Sequence, residues 1–310
     1  MNNAEILKRL ENKGYIAALL PVSFVGAAKV EVERLKAENE LNKHQTAVVS
    51  RYSFEMPDSF AALSVLLLFA PTARVKLSFT QKGRTSFVDM GLGYDDYVFA
   101  PKAADAAVAD VLGSGARFEA HNNFPMKILA ALSGKCEYGR NNILYMKESL
   151  GTKPDFGCCF HIYAYYTELA ADESAPAKIG RMERCDSCGR CEKACPTGAI
   201  MAKTAIINTE RCITRYNEYG SRPLPEFITD GAQNALYGCN RCQLACPRNA
   251  RLSAPQRVVD FSESETAALL GSADFSALPY TLRLKLSELD MADYLEPIRR
   301  NLPALLRQSK

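Results

Sequence analysis

Two stretches decide the reading: CDSCGRCEKACPTGAI at residues 185–200 and CNRCQLACPRN at residues 239–249. The first spaces its cysteines as Cys185-x-x-Cys188-x-x-Cys191-x-x-x-Cys195-Pro196. That is the spacing by which paired [4Fe–4S] clusters are held, the fourth cysteine serving the other cluster. The second stretch repeats the end of the pattern, Cys239-x-x-Cys242-x-x-x-Cys246-Pro247, with Cys212 upstream. Three cysteines in a short loop cup one face of a cubane, and the crossing cysteine points toward the neighbour. The expected ligand sets are Cys185, Cys188, Cys191 and Cys246 for one cluster, and Cys212, Cys239, Cys242 and Cys195 for the other. Pro196 and Pro247 redirect the chain after each crossing cysteine and donate no N–H. Thr197-Gly198-Ala199-Ile200 predicts a tight turn into an apolar strand.

Outward from these runs, the composition agrees. Eight of the 11 cysteines lie between Cys185 and Cys246. A disulfide framework spreads its crosslinks along the chain, and a zinc site takes four ligands, often as two C-x-x-C pairs; neither explains two runs that each end C-x-x-x-C-P. Cys136, Cys158 and Cys159 lie outside the pattern and read as buried or incidental thiols, with a redox role for the vicinal Cys158-Cys159 pair as the alternative. The ligands must stay reduced, so the expected compartment is the cytoplasm. With 47% hydrophobic and 24% charged residues the chain reads as globular, and a net charge of +3 does not argue for nucleic-acid binding. The basic residues Lys8, Arg9 and Lys13 precede an apolar stretch, but Glu5 and Glu11 interleave with them and Ile6, Leu7 and Leu10 recur at helical spacing, which predicts a helix rather than an export signal. No run has the roughly 18–20 apolar residues of a membrane span.

Upstream of residue 170 helix and strand signals alternate, which predicts an α/β domain with helices on the faces of a sheet. Helices are expected over 4–13, 30–41, 102–112 and 125–133. Strands are expected over 15–22, 47–52, 64–70 and 158–169, with a glycine- and asparagine-rich loop over 134–142. ADESAPAK at 171–178 reads as a boundary. The expected organisation is an α/β domain over 1–174, a ferredoxin-like α+β double-cluster domain over 175–254, and a helical tail over 255–310.

At this point the chain resembles a known family. CDSCGRCEKACPTGAI, the strand-like INTERCITRYNE at 207–218 and YGCNRCQLACPRN at 237–249 are similar to the double-cluster domain of the epoxyqueuosine reductases, cobalamin-dependent enzymes that finish queuosine in tRNA. SVLLLFAP at 64–71, GLGYDDY at 91–97, and the loop Ala131-Leu132-Ser133-Gly134 with Gly139-Arg140-Asn141-Asn142-Ile143-Leu144 resemble further motifs of that family. The resemblance implies two [4Fe–4S] clusters, a cobalamin bordered by Gly134, Gly139, Arg140 and Asn141, a ferredoxin or flavodoxin as electron donor, and tRNA as a partner that the charge balance does not itself support.

Three departures stand out. The family's catalytic aspartate precedes a proline and a basic residue, whereas Glu119-Ala120-His121-Asn122-Asn123-Phe124-Pro125-Met126-Lys127 has no aspartate. Reducing a carbon centre consumes protons, so Glu119 and His121 become the expected proton donors. His161, in an apolar run, reads as a core histidine. The family's loop lysine is Arg140 here, and its tryptophan is missing. Longer members carry C-terminal helical repeats, of which Arg299–Leu306 resembles only the beginning. The alternative reading is an electron-transfer protein whose N-terminal domain docks a partner; the size of that domain favours a pocket instead.

Overall fold

The computed structural model describes residues 2–38, 41–94, 99–147, 156–201, 206–218 and 223–308. In chain order the elements are α1 (Asn3–Asn12), β1 (Ile16–Pro21), α2 (Ser23–Ala37), α3 (Lys43–Val49), β2 (Ser64–Pro71), β3 (Val75–Gln81), β4 (Arg84–Asp89), α4 (Phe99–Leu112), β5 (Phe118–Ala120), α5 (Met126–Leu132), β6 (Cys136–Tyr138), β7 (Leu144–Met146) and β8 (Phe160–Thr167). The cysteine-bearing half continues with α6 (Cys185–Cys188), α7 (Arg190–Ala194), α8 (Ile213–Asn217), α9 (Arg241–Leu244), β9 (Arg257–Phe261), α10 (Glu263–Leu270), α11 (Tyr280–Glu288) and α12 (Leu295–Gln308). They pack as two units, residues 1–71 with 100–188, and residues 72–99 with 189–310. This border falls inside the first cysteine run rather than near residue 174, and 72–99 packs with the second unit.

The first unit is built on an antiparallel sheet of order β1-β2-β8-β5. Its central strand, β2, has Val65 through Phe69 entirely buried. Val65, Leu67 and Phe69 face a core shared with Phe24, Val25 and Ala28 of α2 and Leu129 of α5. Leu66 and Leu68 face the other side, against Ile6 and Leu10 of α1 and Val108 of α4. A strand covered on both faces reads as a continuous apolar run, which is why SVLLLFA is legible as a strand.

Two expectations for this unit differ from the structure. The strand expected over 47–52 does not form: 47–49 end the helix Lys43–Val49, which Asn42 caps in a reciprocal box with Gln45, its side chain accepting from the Gln45 N–H at 3.0 Å while the Gln45 side chain accepts from the Asn42 N–H. That local pairing overrides the β-branched residues at the helix end. The helix expected from residue 30 begins at Ser23, so Gly26-Ala27-Ala28 is helix interior. Within the expected 134–142 loop, β6 forms a short hairpin with β7.

The second unit holds a three-stranded sheet of order β4-β3-β9 that the sequence reading had not anticipated. β3 and β4 are joined through Lys82 (φ 50°) and Gly83 (φ 70°), the two left-handed residues of a tight hairpin turn. β9 pairs parallel to β3, Leu77 opposite Val259. Leu77, Phe79, Val88 and Phe261 form the inner face, and α10, α11 and α12 cover it with Leu269, Leu282, Leu286, Ile298 and Leu302. The expected helical tail is thus part of this unit's core. Arg74 fastens the sheet's edge: its guanidinium forms a double hydrogen bond with Asp89 at 2.9 and 3.0 Å and donates to the carbonyls of Leu252 and Ser253.

Leu67 packs where β1, β2 and β8 meet, between Ala18 and Ala164. Leu67→Ala should lower the stability of the first unit by about 2–5 kcal/mol through the cavity it leaves. Urea denaturation followed by far-ultraviolet circular dichroism measures this, and an unchanged midpoint would contradict a close-packed centre at β2.

Candidate iron–sulfur centre

Burying a thiol raises its pKa, because the thiolate loses its hydration. A cluster site must therefore surround each sulfur with N–H donors and leave the metal to hold it deprotonated. Cys195, Cys212 and Cys239 are arranged in this way. Burial pushes Cys212 and Cys239 up, and each is raised further by neighbouring thiols: Cys212 by Cys239 and Cys195, Cys239 by Cys195. Three sulfurs of the expected second set therefore lie in one another's field. Against this, Cys195 Sγ accepts from the Ala199 N–H at 3.2 Å. Cys239 Sγ accepts from Asn234 Nδ2 at 3.2 Å and from the backbone of Arg241, and Cys212 accepts from the backbone and hydroxyl of Thr214. This donor set fits a thiolate-bound cluster. Cys242, the fourth expected ligand, lies half-buried on α9. Of the other set, Cys185 and Cys188 flank α6 in the first unit, and Cys191 and Cys246 belong to the second. Among the described residues no group of three His, Cys, Asp or Glu side chains converges on a single metal-ion position. The ligands of a cubane each bind a different iron and are spaced more widely.

Local sequence explains how the sulfurs are aimed. After Cys195 and Pro196, Gly198 adopts φ 66° and returns the Ala199 N–H to the sulfur. The turn is pinned to the Cys212 segment: Arg211 Nε donates to the Thr197 carbonyl at 2.6 Å, and the Thr197 hydroxyl donates to the Arg211 carbonyl. Residues 199–201 do not continue as a strand, and residues 202–205 of the expected strand lie outside the described residues. INTERCITRYNE is likewise helical, a 3-10 turn at Thr209–Arg211 followed by α8.

The loop before Cys239 is held by buried amides that the sequence reading missed. Asn240 Nδ2 donates to the Met90 carbonyl at 2.7 Å, and its Oδ1 accepts from the Leu92 N–H at 2.8 Å. Asn217 Nδ2 donates to the Ala235 and Gly238 carbonyls, and Asn301 Nδ2 to those of Asn217 and Leu236. Tyr94 of the GLGY motif wedges against Gly91 and Gly238; a Cβ at Gly238 would meet its ring at 2.9 Å, and Gly238 has φ 72°. Its hydroxyl hydrogen-bonds Glu218, whose carboxyl burial raises. Asp95, Asp96 and Tyr97 of that motif lie outside the described residues.

The remaining expected site residues lie in the first unit. Glu119 is exposed on β5 and accepts from the Ser59 hydroxyl at 3.2 Å. His121 follows β5, packs on Phe124 and Tyr166, and places Nε2 3.2 Å from the Ser53 carbonyl. Asn141 is buried and donates to the Tyr145 hydroxyl at 2.9 Å. A Cβ at Gly139 would meet Asn141 Oδ1 at 2.6 Å and the Tyr145 ring at 2.7 Å, so glycine is needed for that contact. Gly134 has φ 74°. Arg140 Nη2 donates to the Asp186 carbonyl at 3.2 Å.

Residues 184–249 match the 4Fe-4S double cluster binding domain, which defines the class: an iron–sulfur protein of the two-cluster kind. The chain also resembles the epoxyqueuosine reductases in sequence over part of its length. It is 31% identical over 130 residues to the epoxyqueuosine reductase of Synechocystis (39% of this chain, 43% of the relative) and 35% identical over 122 residues to that of Burkholderia pseudomallei (37% and 29%). The alignments thus span less than half of each of these relatives. The epoxyqueuosine reductase structure from Bacillus subtilis has the same fold, with a TM-score of 0.65 at 18% identity over 98% of this chain and 80% of that one. An epoxyqueuosine reductase crystallised with an epoxyqueuosine-modified tRNA stem loop superposes with a TM-score of 0.63 at 16% identity, again over 98% and 80%.

If Cys195 crosses to the second set, Cys195→Ser and Cys239→Ser should perturb the same cluster. Their reduced-state electron paramagnetic resonance spectra should change alike and differ from that of Cys188→Ser, and each should lose up to half of the ~8 irons of a two-cluster chain. A Cys195→Ser spectrum that groups with Cys188→Ser would overturn the crossing.

Proposed function

We propose that this chain is an iron–sulfur reductase of the epoxyqueuosine reductase type. It takes electrons from a ferredoxin or flavodoxin, leads them through two [4Fe–4S] clusters and delivers them to a cobalamin for reduction of an epoxide in tRNA. The observation that carries the reading is the half-buried, N–H-lined set of Cys195, Cys212 and Cys239 in a chain with the epoxyqueuosine reductase fold. Thiolate ligation supports a reducing compartment, which we take to be the cytoplasm. Among the described residues no helix is long and apolar enough to cross a membrane.

The 134–142 loop fits a corrinoid neighbour through its backbone and one side chain. Asn141 and Gly139 form the loop's own packing with Tyr145, while Arg140 and Gly134 stay at its half-buried surface. Arg140 and the loop backbone would hold the corrinoid's periphery. Bound cobalamin would supply a strongly reducing low-valent metal. Protons must come from the chain, and Glu119 and His121 are the proposed donors. A second reading, electron transfer without substrate chemistry, is favoured by one observation: both side chains already make structural contacts, Glu119 with Ser59 and His121 with Phe124 and Tyr166.

The test uses protein reconstituted without oxygen with iron, sulfide and hydroxocobalamin, then desalted. It is given a chemical reductant and a stem loop bearing epoxyqueuosine. The expected outcome is about one corrinoid retained per chain and, by mass spectrometry, a product that has lost one oxygen atom. Clusters without corrinoid or product would assign the chain to electron transfer alone. Glu119→Gln or His121→Ala should slow turnover by about 10²–10⁴-fold if that side chain delivers the proton. Full turnover in both would place the donor elsewhere.

A further inference from the structure

One cavity in the second unit is unexplained by the cluster ligands. It is an open hollow of about 550 Å³, within the range of small-molecule sites. Phe87 of β4, Leu244 of α9 and Leu305 of α12 supply apolar walls, and Gln233, Asn234 and Arg241 supply polar groups. Gln233 is only 2% exposed, yet its Oε1 has no hydrogen-bond partner among the described residues. A bare buried carboxamide oxygen costs about 1–3 kcal/mol, which a ligand in the cavity would recover. Rotation about the last side-chain bond presents either its acceptor or its donor. At the rim, the exposed Arg241 guanidinium is tied to the protein by one long bond, Nη2 to the Gly231 carbonyl at 3.4 Å. The Phe87 ring is 54% exposed.

The cavity adjoins the sulfurs. Asn234 lines it and donates to Cys239 Sγ at 3.2 Å, and Ala194, also in its lining, precedes Cys195. An occupant therefore lies one side chain away from the expected ligands of the second cluster. That place suits a redox-active ring. A cluster accepts one electron at a time, which excludes a hydride donor acting directly. A heteroaromatic ring that releases electrons singly, has a donor between two acceptors on one edge, and develops negative charge when reduced would match the carboxamide, the apolar walls and the guanidinium together.

We propose that this cavity is an electron port that receives the isoalloxazine ring of a reduced flavin, with its polar edge on Gln233, its face against Phe87 and Leu305, and Arg241 opposite its charge. The hydroquinone is oxidised in two one-electron steps. Each electron reduces one cluster by one unit, and the ring's protons leave to solvent. The ring can arrive as free FMN or exposed on a flavodoxin. The proposal rests on the reading of this chain as an iron–sulfur reductase only in requiring that the clusters be reduced.

The test is made on the anaerobic, cluster-loaded protein. FMN binding, measured by calorimetry, should be saturable at one site. Gln233→Leu and Arg241→Gln should each weaken it about tenfold, the loss of one good hydrogen bond or charge contact. Phe87→Ala, a change on an exposed ring that leaves the core intact, should weaken it as well. The rate at which photoreduced FMN bleaches the cluster absorption should fall in the same order, with dithionite bleaching used to count the clusters in each variant. If flavodoxin hydroquinone shows that order and free FMN does not, the port takes a protein-borne ring; the converse identifies free flavin as the source. No saturable FMN binding, together with flavodoxin reduction indifferent to Gln233, Arg241 and Phe87, overturns the proposal. So does tighter binding of guanosine monophosphate than of FMN, which would make the cavity a nucleotide site. The stem-loop assay, run with a chemical reductant, stands apart from all of these outcomes.

Discussion

The second unit is organised around three half-buried sulfurs, those of Cys195, Cys212 and Cys239. A thiol removed from water favours its neutral form, and Cys212 and Cys239 are pushed that way both by burial and by each other's company. The chain answers with N–H groups: Ala199 for Cys195, Thr214 for Cys212, Arg241 and Asn234 for Cys239. Most of these are backbone donors, so their aim is set by loop conformation. Loops lack a hydrogen-bonded ladder of their own, and here buried asparagines replace it. Asn217, Asn240 and Asn301 together bind five backbone carbonyls and one N–H around residues 90–92, 217 and 235–238. The ligand geometry is thereby transmitted to α12 and to the strand that ends at Asp89, whose carbonyl accepts from the Leu236 N–H. This is the physical reason that residues 72–99 and the C-terminal helices pack with the cysteine segment as one unit.

The site was more legible than the scaffold that aims it. Cysteine spacing is a local code, and residues 185–195 and 239–246 carry it openly, although Cys212 joins its expected set from 27 residues upstream of Cys239. β2 was legible for a similar reason, since burial on both faces leaves five consecutive apolar residues. The sheet of the second unit was hidden because its defining contact joins residues far apart: β3 pairs in parallel with β9, Val75 opposite Arg257. No local pattern encodes a partner so distant. The buried asparagines were hidden differently. In a loop sequence an asparagine such as Asn240 reads as a turn former, and only the fold shows that it and Asn301, on α12, face the interior. At residues 43–49 two valines suggested a strand, and the deciding signal was the capping pair Asn42 and Gln45 just upstream.

The departures from the family motif acquire a physical setting. Arginine stands at position 140, where the resemblance would place a lysine, and one of its guanidinium nitrogens ties the loop to its neighbour. Arg140 reaches the Asp186 carbonyl, while Arg181 pairs with the Asp186 carboxylate at 2.7 Å. Asp186 lies on α6 between Cys185 and Cys188, so the glycine loop is fastened within the first unit to the helix that carries the first two cysteines. The loop's interior is equally committed, with Gly139 excluded from any larger residue by Asn141 and Tyr145. A segment this firmly placed suits a rigid border for a large ligand, since positional precision comes from supporting contacts rather than from the border residues themselves.

Asn234 links the two ends of the argument. One of its amide hydrogens tunes Cys239 sulfur, its oxygen receives the Asn240 N–H at 2.8 Å, and its side chain forms part of the cavity wall. Hydrogen bonds to sulfur, net charge and solvent access set a cluster's reduction potential. An occupant of the cavity changes two of these for the second cluster, because it displaces water beside Asn234 and brings its own charge. If Cys195 and Cys239 bind one cluster as proposed, that cluster is the one an occupant would tune. On the proposed port, electron input and the tuning of the acceptor would meet at Asn234, in a loop that buried amides hold in place.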